Sequence, residues 1–438
     1  MKVAVIGAGK MGLPLACQFA ASGASVIACD TSEAVVEAIN AGRMPFEEPG
    51  VGDLLRAARQ AGTIAATTST ADGVRGCDVV VVIVPVTLTP EQTADLKIID
   101  EVTAKIATVL APGMMVSYET TLPVGTTRNH LAPILESSGL NAGVDFDLVF
   151  SPERVKSQLV LRHLRNVPKI VGGVCPLSAR RGEEFYGRYL GARVVNIGTL
   201  EAAEFAKLAG MIYRDVNIAL ANELAGYAEQ VGLDFGTVVR AANTDGEAYL
   251  LSPGIGVGGH CTPVYPYFAL NDARAKGTPM TLTAAARQIN DSQAVHAFDR
   301  LEKAGVNLSG ARILILGLGF RPEVREHTLS PAFLVRQEAL RRNAELYLHD
   351  PLYTPEETAC HGFSYWDLAN EHWPEIVILS TAHRVYADAD FPQWRHRGVR
   401  YVVDGRNFWD PQQVTAAGLQ YFGPGVPTTT GRLLVQQS

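Results

Sequence analysis

Short apolar runs that end in glycine or polar clusters recur along the first part of the chain. Lys2 to Ile6 reads as a buried strand, and Leu15 to Ser22 as the helix after it. Val26 to Cys29 is a second strand, ending at Asp30. Val79 to Val86, Met114 to Tyr118 and Asp147 to Phe150 are further strands, almost without polar interruption. Such runs belong to parallel sheets covered on both faces. Their alternation with helical patterns predicts α/β architecture.

The middle of the chain changes period. Residues 199–232 read as one long helix, with Ala203, Ala206, Ile212, Val216, Ala219, Leu220, Leu224 and Tyr227 at helical spacing. A helix of this length suits a spine between domains and a dimer seam. Asp234 to Ala242 and Thr281 to Ala304 are further helical stretches. At Ala311 to Leu316 a second α/β unit begins, with a helix from Phe333 to Arg342 and a strand ending at Asp350. Later strands are Glu375 to Ser380 and Tyr401 to Val403, and the tail from Pro424 reads as a loose terminus. The expected fold is α/β, with two Rossmann-like doubly wound domains joined by a long central helix. Residues 1–198, 199–305 and 306–438 are the expected domains.

The first strand–helix junction carries chemistry. Gly7-Ala8-Gly9-Lys10-Met11-Gly12 is G-x-G-x-x-G between a strand and a helix. The first glycine makes the turn, the second lets a pyrophosphate approach, and the third lets helix and strand pack. Lys10 and Met11 complete that turn, and the helix start offers amides to phosphate. Asp30, at the end of the second strand, suits a ribose 2′-hydroxyl and repels a 2′-phosphate, which favours NAD over NADP. Val84, Pro85 and Thr87 lie at the carboxyl end of another strand, where open α/β sheets bind ligands. In the second unit Pro322 stands where the third glycine would be, which argues against a second dinucleotide site.

Composition narrows the reading. The hydrophobic fraction is 47% and the net charge is −7, with acids and bases mixed, so nucleic acid is not the expected partner. No apolar run reaches membrane-spanning length. The six cysteines are scattered without a CxxC pair or histidine cluster, so neither a disulfide framework nor a metal site is expected. The chain opens directly on a strand, and a cytoplasmic location is expected. One cysteine, Cys261, closes a loop rich in glycine: Gly254, Gly256, Gly258 and Gly259 precede it. Such a loop can present a thiol to a small substrate, and a thiolate can trap an aldehyde covalently. On the loop alone, a surface turn with an incidental cysteine is an equal alternative.

These stretches together resemble the UDP-glucose/GDP-mannose dehydrogenase family of nucleotide-sugar dehydrogenases. The resemblance rests, in order, on GAGKMGLP, INAGRMPFEEPG, the VPVT strand end, ETTLPVGTT, SPERV, YRDVNIALANELA, AANT, GVGGHC, GLGF and DGRN. SPERV and GVGGHC are closest to members that act on N-acetylated UDP-sugars. The resemblance implies oxidation of a UDP- or GDP-linked sugar at C6 with NAD, in a homodimer. It implies Cys261 as nucleophile, Lys207 as oxyanion donor, and Thr121 and Glu153 as supports for water or proton transfer. Gly7, Gly9, Gly12 and Asp30 match the NAD contacts, with Thr121 also on that side. Glu153, Arg154, Lys207, Met211, Gly256, Gly258, Gly259, Arg321 and Arg406 fall on the substrate side.

Four positions depart from the family pattern. Met211 stands for an asparagine four residues after the lysine, and Tyr265 for an aspartate four residues after the cysteine. Glu247 replaces an arginine, and Thr328 takes the place of an arginine before SP. Tyr265 is a candidate acid/base in its own right. The departures leave two alternatives open. One is a single two-electron oxidation of a secondary alcohol to a ketone on an unusual nucleotide sugar, such as a GDP-octose of antibiotic biosynthesis. The other is a silent homologue that only binds NAD and a nucleotide sugar.

Overall fold

The computed structural model describes residues 1–427. The chain divides into two compact units, Met1–Gly210 with Tyr267–Thr278, and Met211–Pro266 with the residues from Pro279 on. The first unit holds β1 (Lys2–Ile6), β2 (Ser25–Cys29), β3 (Ile64–Thr67), β4 (Val79–Val82), β5 (Thr87–Leu88), β6 (Ala94–Asp95), β7 (Met115–Tyr118), β8 (Asp147–Phe150), β9 (Lys169–Gly173) and β10 (Val194–Thr199). Eight of them form one sheet in the order β10-β9-β8-β7-β4-β1-β2-β3, while β5 and β6 pair separately. All neighbours in the large sheet are parallel except β8 and β9. Strands β4, β7 and β8 are buried along their whole length, because helices cover both faces. On one face the helices Gly12–Ala21 and Pro176–Leu190 meet through Phe19 and Phe185, with ring centroids 5.1 Å apart.

The second unit holds β11 (Arg312–Leu316), β12 (Glu345–His349), β13 (Ser364–Tyr365), β14 (Ile376–Leu379), β15 (Tyr401–Asp404) and β16 (Gln420–Phe422). They form a wholly parallel sheet in the order β13-β12-β11-β14-β15-β16. Each sheet reverses its winding beside its first strand, between β1 and β4 and between β11 and β14. Ligand crevices of open α/β sheets form at such reversals. Both reversals need a glycine. A side chain at Gly7 would lie 2.7 Å from the Ile83 carbonyl, and one at Gly317 would lie 2.4 Å from Thr381. The internal repeat expected from the sequence is thus present, as is the α/β fold with Rossmann-like sheets.

The two repeats diverge after that glycine. In the first unit the helix starts at Gly12, where an added Cβ would be 1.8 Å from the Gly7 carbonyl. In the second, the chain continues through Pro322 and the helix waits until Pro331, capped by Ser330. The intervening loop folds back over Gly319, bringing the Val324, Arg321 and Glu326 carbonyls 3.2 to 3.4 Å from where its Cβ would be. Asp350 turns inward and accepts from the Leu318 and Gly319 amides. A dinucleotide turn like the first is not built there.

Three boundaries differ from the sequence pattern. The Val79 to Val86 run leaves the sheet after Val82, and the chain turns through exposed Pro85 into the β5–β6 hairpin. Thr281 to Ala304 forms two helices, Thr281–Asp291 and Gln293–Lys303, parted at Ser292. There the Ser292 hydroxyl and the Gln293 side-chain Nε2 both donate to the Ile289 carbonyl and compete with the helix ladder. The tail from Pro424 is anchored as far as Val426: Arg300 donates to the Gly423 and Val426 carbonyls, and the Gly425 amide donates to Glu229. The rest of that tail lies outside the described residues.

The long helix is Leu200–Gln230, 31 residues. Its buried side includes Glu204, Lys207, Asp215, Asn217 and Asn222, whereas Leu220 and Tyr227 are exposed. The periodicity found the helix but not the polarity of its buried face.

Two glycines of the helix Pro176–Leu190 should respond oppositely to alanine. At Gly182 a Cβ would lie 2.8 Å from Val171 and 3.0 Å from Val149, while at exposed Gly187 it would meet Val194 at 3.8 Å. Gly187→Ala is expected to stabilise by about 0.5–1 kcal/mol, and Gly182→Ala to destabilise by about 1–3 kcal/mol. Denaturant melts of the two variants check both signs.

Candidate active site

The first crevice is shaped by the turn after β1. Gly7 has φ +98°, and its amide donates to the Cys29 carbonyl over 2.8 Å. Among the described residues nothing lies within 4 Å of where a Gly9 Cβ would be, so that face of the turn is open. Lys10 and Met11 are half-buried beside it. The Asp30 carboxylate accepts from the Ala8 amide at 3.0 Å and the Ser32 amide at 3.0 Å, which joins the end of β2 to the turn. An open glycine at a helix start with an anchored carboxylate beside it suits a dinucleotide: amides for the pyrophosphate, and remaining carboxylate lone pairs for ribose hydroxyls. Val84 is buried, its carbonyl accepting from Thr120 at 2.6 Å, while Pro85 and Thr87 are exposed at the same strand end. Thr121 follows Thr120 and is 4% exposed.

Glu153 lies three residues past β8, and every polar group on it is engaged. Its amide donates to the Glu119 carbonyl at 3.1 Å, and its carbonyl accepts from Lys207 Nζ at 2.7 Å. Its Oε1 accepts from the Arg154 and Val155 amides, and its Oε2 lies 3.3 Å from Lys169 Nζ. Burial works against this carboxylate, but the Lys169 charge and the hydrogen bonds outweigh it and hold its pKa below the usual range. Thus Glu153 and Lys207, two residues marked by the sequence, meet in one cluster. Arg154 turns away from it and donates to the Pro168 carbonyl.

Sequence reasoning missed several residues around this cluster. Glu204, one turn before Lys207, accepts from the Gly125 amide and from both the amide and hydroxyl of Thr127, tethering the loop after Thr121 to the long helix. Burial pushes its carboxyl up to about 7. Lys169, Glu119 and Tyr186 are also buried here. The one available signal was a lysine opening the otherwise apolar strand Lys169–Gly173.

In the second unit, the glycine loop lies against the α/β sheet. Its Gly254 amide donates to Asn222 Oδ1 at 2.9 Å, its Ile255 amide to the Gly405 carbonyl at 3.0 Å, and its Gly259 amide to the Thr328 carbonyl at 2.8 Å. A Cβ on Gly258 would lie 2.6 Å from Phe320 and 2.9 Å from the Leu329 carbonyl. Gly259 has φ +104°, which only glycine adopts without strain. Arg406 donates to the Gly256 carbonyl and, through Nε at 2.6 Å, to the Ser380 carbonyl, while its Nη2 is buried without a hydrogen-bond partner among the described residues. Burial, opposed by Asp404, brings its pKa down to about 10. Arg321 lies 3.8 Å from Glu326 and over the Phe320 ring.

This packing delivers Cys261, half-buried, to the start of the helix Tyr265–Ala275. No cysteine is disulfide-bonded. Cys17, Cys29 and Cys77 are core residues, and burial pushes Cys17 and Cys29 up to about 12 and Cys77 upward as well. Cys175 caps the helix Pro176–Leu190. Tyr265 is 5% exposed, and its hydroxyl meets His260 Nδ1 at 3.4 Å. His260 is a further residue that sequence reasoning passed over. Met211 is half-buried, Glu247 lies in an exposed turn, and Thr328 serves the loop through its carbonyl.

Known proteins are similar to this chain over most of its length. Residues 1–190 match the NAD binding domain of the UDP-glucose/GDP-mannose dehydrogenase family, residues 201–292 its central domain, and residues 314–411 its UDP binding domain. The UDP-N-acetyl-D-mannosamine dehydrogenase of Pyrococcus horikoshii is 35% identical over 421 residues, covering 93% of this chain and 96% of that protein. The UDP-N-acetyl-D-glucosamine 6-dehydrogenase of Pseudomonas aeruginosa is 30% identical over 423 residues, 92% of this chain and 97% of that protein. The solved structure of the UDP-D-ManNAc dehydrogenase of Pyrococcus horikoshii superposes with a TM-score of 0.87 at 30% identity, over 97% of this chain and 99% of that one. With an open glycine turn for NAD in one unit and a UDP-binding-domain match in the other, the chain belongs to the UDP-glucose/GDP-mannose dehydrogenase family and is an NAD-dependent oxidoreductase acting on a nucleotide sugar.

Proposed function

We propose that this enzyme oxidises the C6 hydroxyl of a UDP-linked N-acetylhexosamine to a carboxylate in two hydride transfers. The observation that carries the reading is the glycine loop ending at Cys261, held at Gly254, Ile255, Gly256 and Gly259 so that a half-buried thiol stands at its end. The relatives named for N-acetylated UDP-sugars support the sugar class.

NAD supplies the hydride acceptor in both oxidations. Asp30 and the turn from Gly7 to Gly12, with Lys10 and Met11, hold the dinucleotide, and Val84, Pro85, Thr87 and Thr121 border it. After the first oxidation Cys261 Sγ adds to the C6 aldehyde as a thiohemiacetal, and the second leaves a thioester on the same sulfur. Water then cleaves the carbon–sulfur bond, releasing the carboxylate and the thiol. Lys207 donates to the oxyanion formed at C6, and Thr121 and Glu153 support the water. Arg154, Met211, Gly256, Gly258, Gly259, Arg321 and Arg406 border the nucleotide sugar. A buried guanidinium with one unmatched nitrogen, as at Arg406, suits an anionic or carbonyl acceptor. Tyr265 with His260 supplies the acid/base pair beside the thiol, where the family has an aspartate.

We also propose a homodimer seamed along the long helix. Tyr213, Leu220 and Tyr227 repeat every seven residues and are 58%, 42% and 67% exposed. This spacing places them in one stripe, the geometry of a helix–helix seam. Leu220→Glu is expected to shift sedimentation from dimer toward monomer, and an unchanged dimer would place the seam elsewhere.

The stoichiometry of NADH per sugar tests the reaction. Two per UDP-N-acetylhexosamine are expected, and one per sugar, with a ketone product, would support the single-oxidation alternative instead. Cys261→Ser should abolish uronate formation. Lys207→Met should lower kcat by about 10²–10³, the usual cost of an oxyanion donor, with NADH binding retained in fluorescence titration.

A further inference from the structure

The reversal of one strand builds a charge cluster behind Glu153. Strand β9 runs antiparallel to β8, pairing Phe150 with Gly172 and Val149 with Gly173. Carried on in the same register, residue 169 falls across from residue 153. Lys169 Nζ lies 3.3 Å from Glu153 Oε2 and 2.5 Å from Glu119 Oε2. Glu119 directly follows β7. Its Oε1 accepts from the Tyr186 hydroxyl at 2.8 Å, which meets Ser117 Oγ at 2.8 Å. Lys169 also lies over the Tyr186 ring, 5.0 Å from its centroid. Glu119 is 1% exposed and Lys169 is 5% exposed.

Two carboxylates thus share one buried ammonium. An ion pair of this kind is a weak device for stability alone, because both charges lose their water. Its position is informative. Glu119 grips Glu153 twice, by its own carbonyl on the Glu153 amide and through Lys169 on the Glu153 carboxylate. The Glu153 carbonyl in turn holds Lys207 Nζ. A shift of the Glu153 backbone would therefore move the ammonium that the proposed chemistry requires.

We propose that Lys169 and Glu119 are positioning residues for the oxidation, fixing the main chain and carboxylate of Glu153 and, through its carbonyl, the ammonium of Lys207. The proposal rests on the roles given above to Lys207 and Glu153. It also gives the cluster a pH dependence. Burial, opposed by Lys169 and reinforced by Glu153, pushes the Glu119 carboxyl up to about 7, whereas Glu153 is held low. Below that pH Glu119 keeps its proton and the cluster is balanced. As pH rises through it, Glu119 ionises and a net negative charge appears among Lys169, Glu153, Tyr186 and Ser117, one carbonyl away from Lys207.

The test uses the full-length enzyme with Lys169→Met, Lys169→Arg, Glu119→Gln and Tyr186→Phe. Each variant is melted, titrated with NADH, and assayed for kcat and KM across pH. Lys169→Met is expected to lower kcat about tenfold or more, as small displacements of reacting groups do, with NADH affinity within about twofold. Lys169→Arg should recover part of that loss. Glu119→Gln should remove the limb of the kcat profile near pH 7, and Tyr186→Phe should shift that limb. Folded variants with parental kcat and an unmoved pH profile would overturn the proposal. So would activity that falls only in proportion to folded protein. If Lys169→Met does not fold, Tyr186→Phe decides, and an unshifted limb counts against it. Parental activity in Lys207→Met and Glu153→Gln would instead overturn the functional reading beneath the proposal.

Discussion

A buried polar group must find a partner or lose about 1–3 kcal/mol, and the long helix buries five such side chains. Each finds its partner in a loop or helix of its own unit. In the first unit Glu204 takes the loop after Thr121, and Lys207 takes the Glu153 carbonyl. In the second unit Asn217 holds Tyr249 and Leu251, Asn222 holds Gly254, and Asp215 holds Arg287 and Asn290, the latter joined to Asn222. The obligation to satisfy these groups sets the loop conformations. An apolar helix of the same length could pack as tightly but would specify none of them.

The second constraint is steric. Gly7, Gly12, Gly258 and Gly317 each sit where a Cβ would meet backbone or a packed side chain. The glycine at each sheet reversal lets neighbouring strands and the following turn close up. After that the repeats part company, one opening at Gly9, the other covered by its own loop over Gly319. One architecture thus carries a dinucleotide turn in the first unit and a closed turn with an inward Asp350 in the second.

Much of this was legible in the residues. The uninterrupted apolar strands, the glycine turn with Asp30 and the repeat at Gly317 all express short-range rules, and Pro322 announced the divergence. The coupling of Glu153 to Lys207 was legible only as a resemblance, since 54 residues separate them. Glu119 and Glu204 were not legible, and Lys169 showed only as a polar start to an apolar strand, because their meaning depends on which distant elements lie side by side. Lys169 reaches Glu153 only because β9 reverses, and no local pattern announces the direction of a strand. The anchoring of Gly423 to Val426 was missed for the same reason: its partners, Arg300 and Glu229, lie on distant helices.

The central claim is that the sugar becomes covalently attached to Cys261 during the reaction. The most direct measurement is mass spectrometry of acid-quenched Glu153→Gln enzyme, in which thioester hydrolysis is expected to slow, after mixing with NAD and a UDP-N-acetylhexosamine. The account predicts an adduct on the peptide carrying Cys261, heavier by the nucleotide sugar less four hydrogens, and absent from Cys261→Ser. NADH formation with an unmodified Cys261 peptide at every quench time would contradict it.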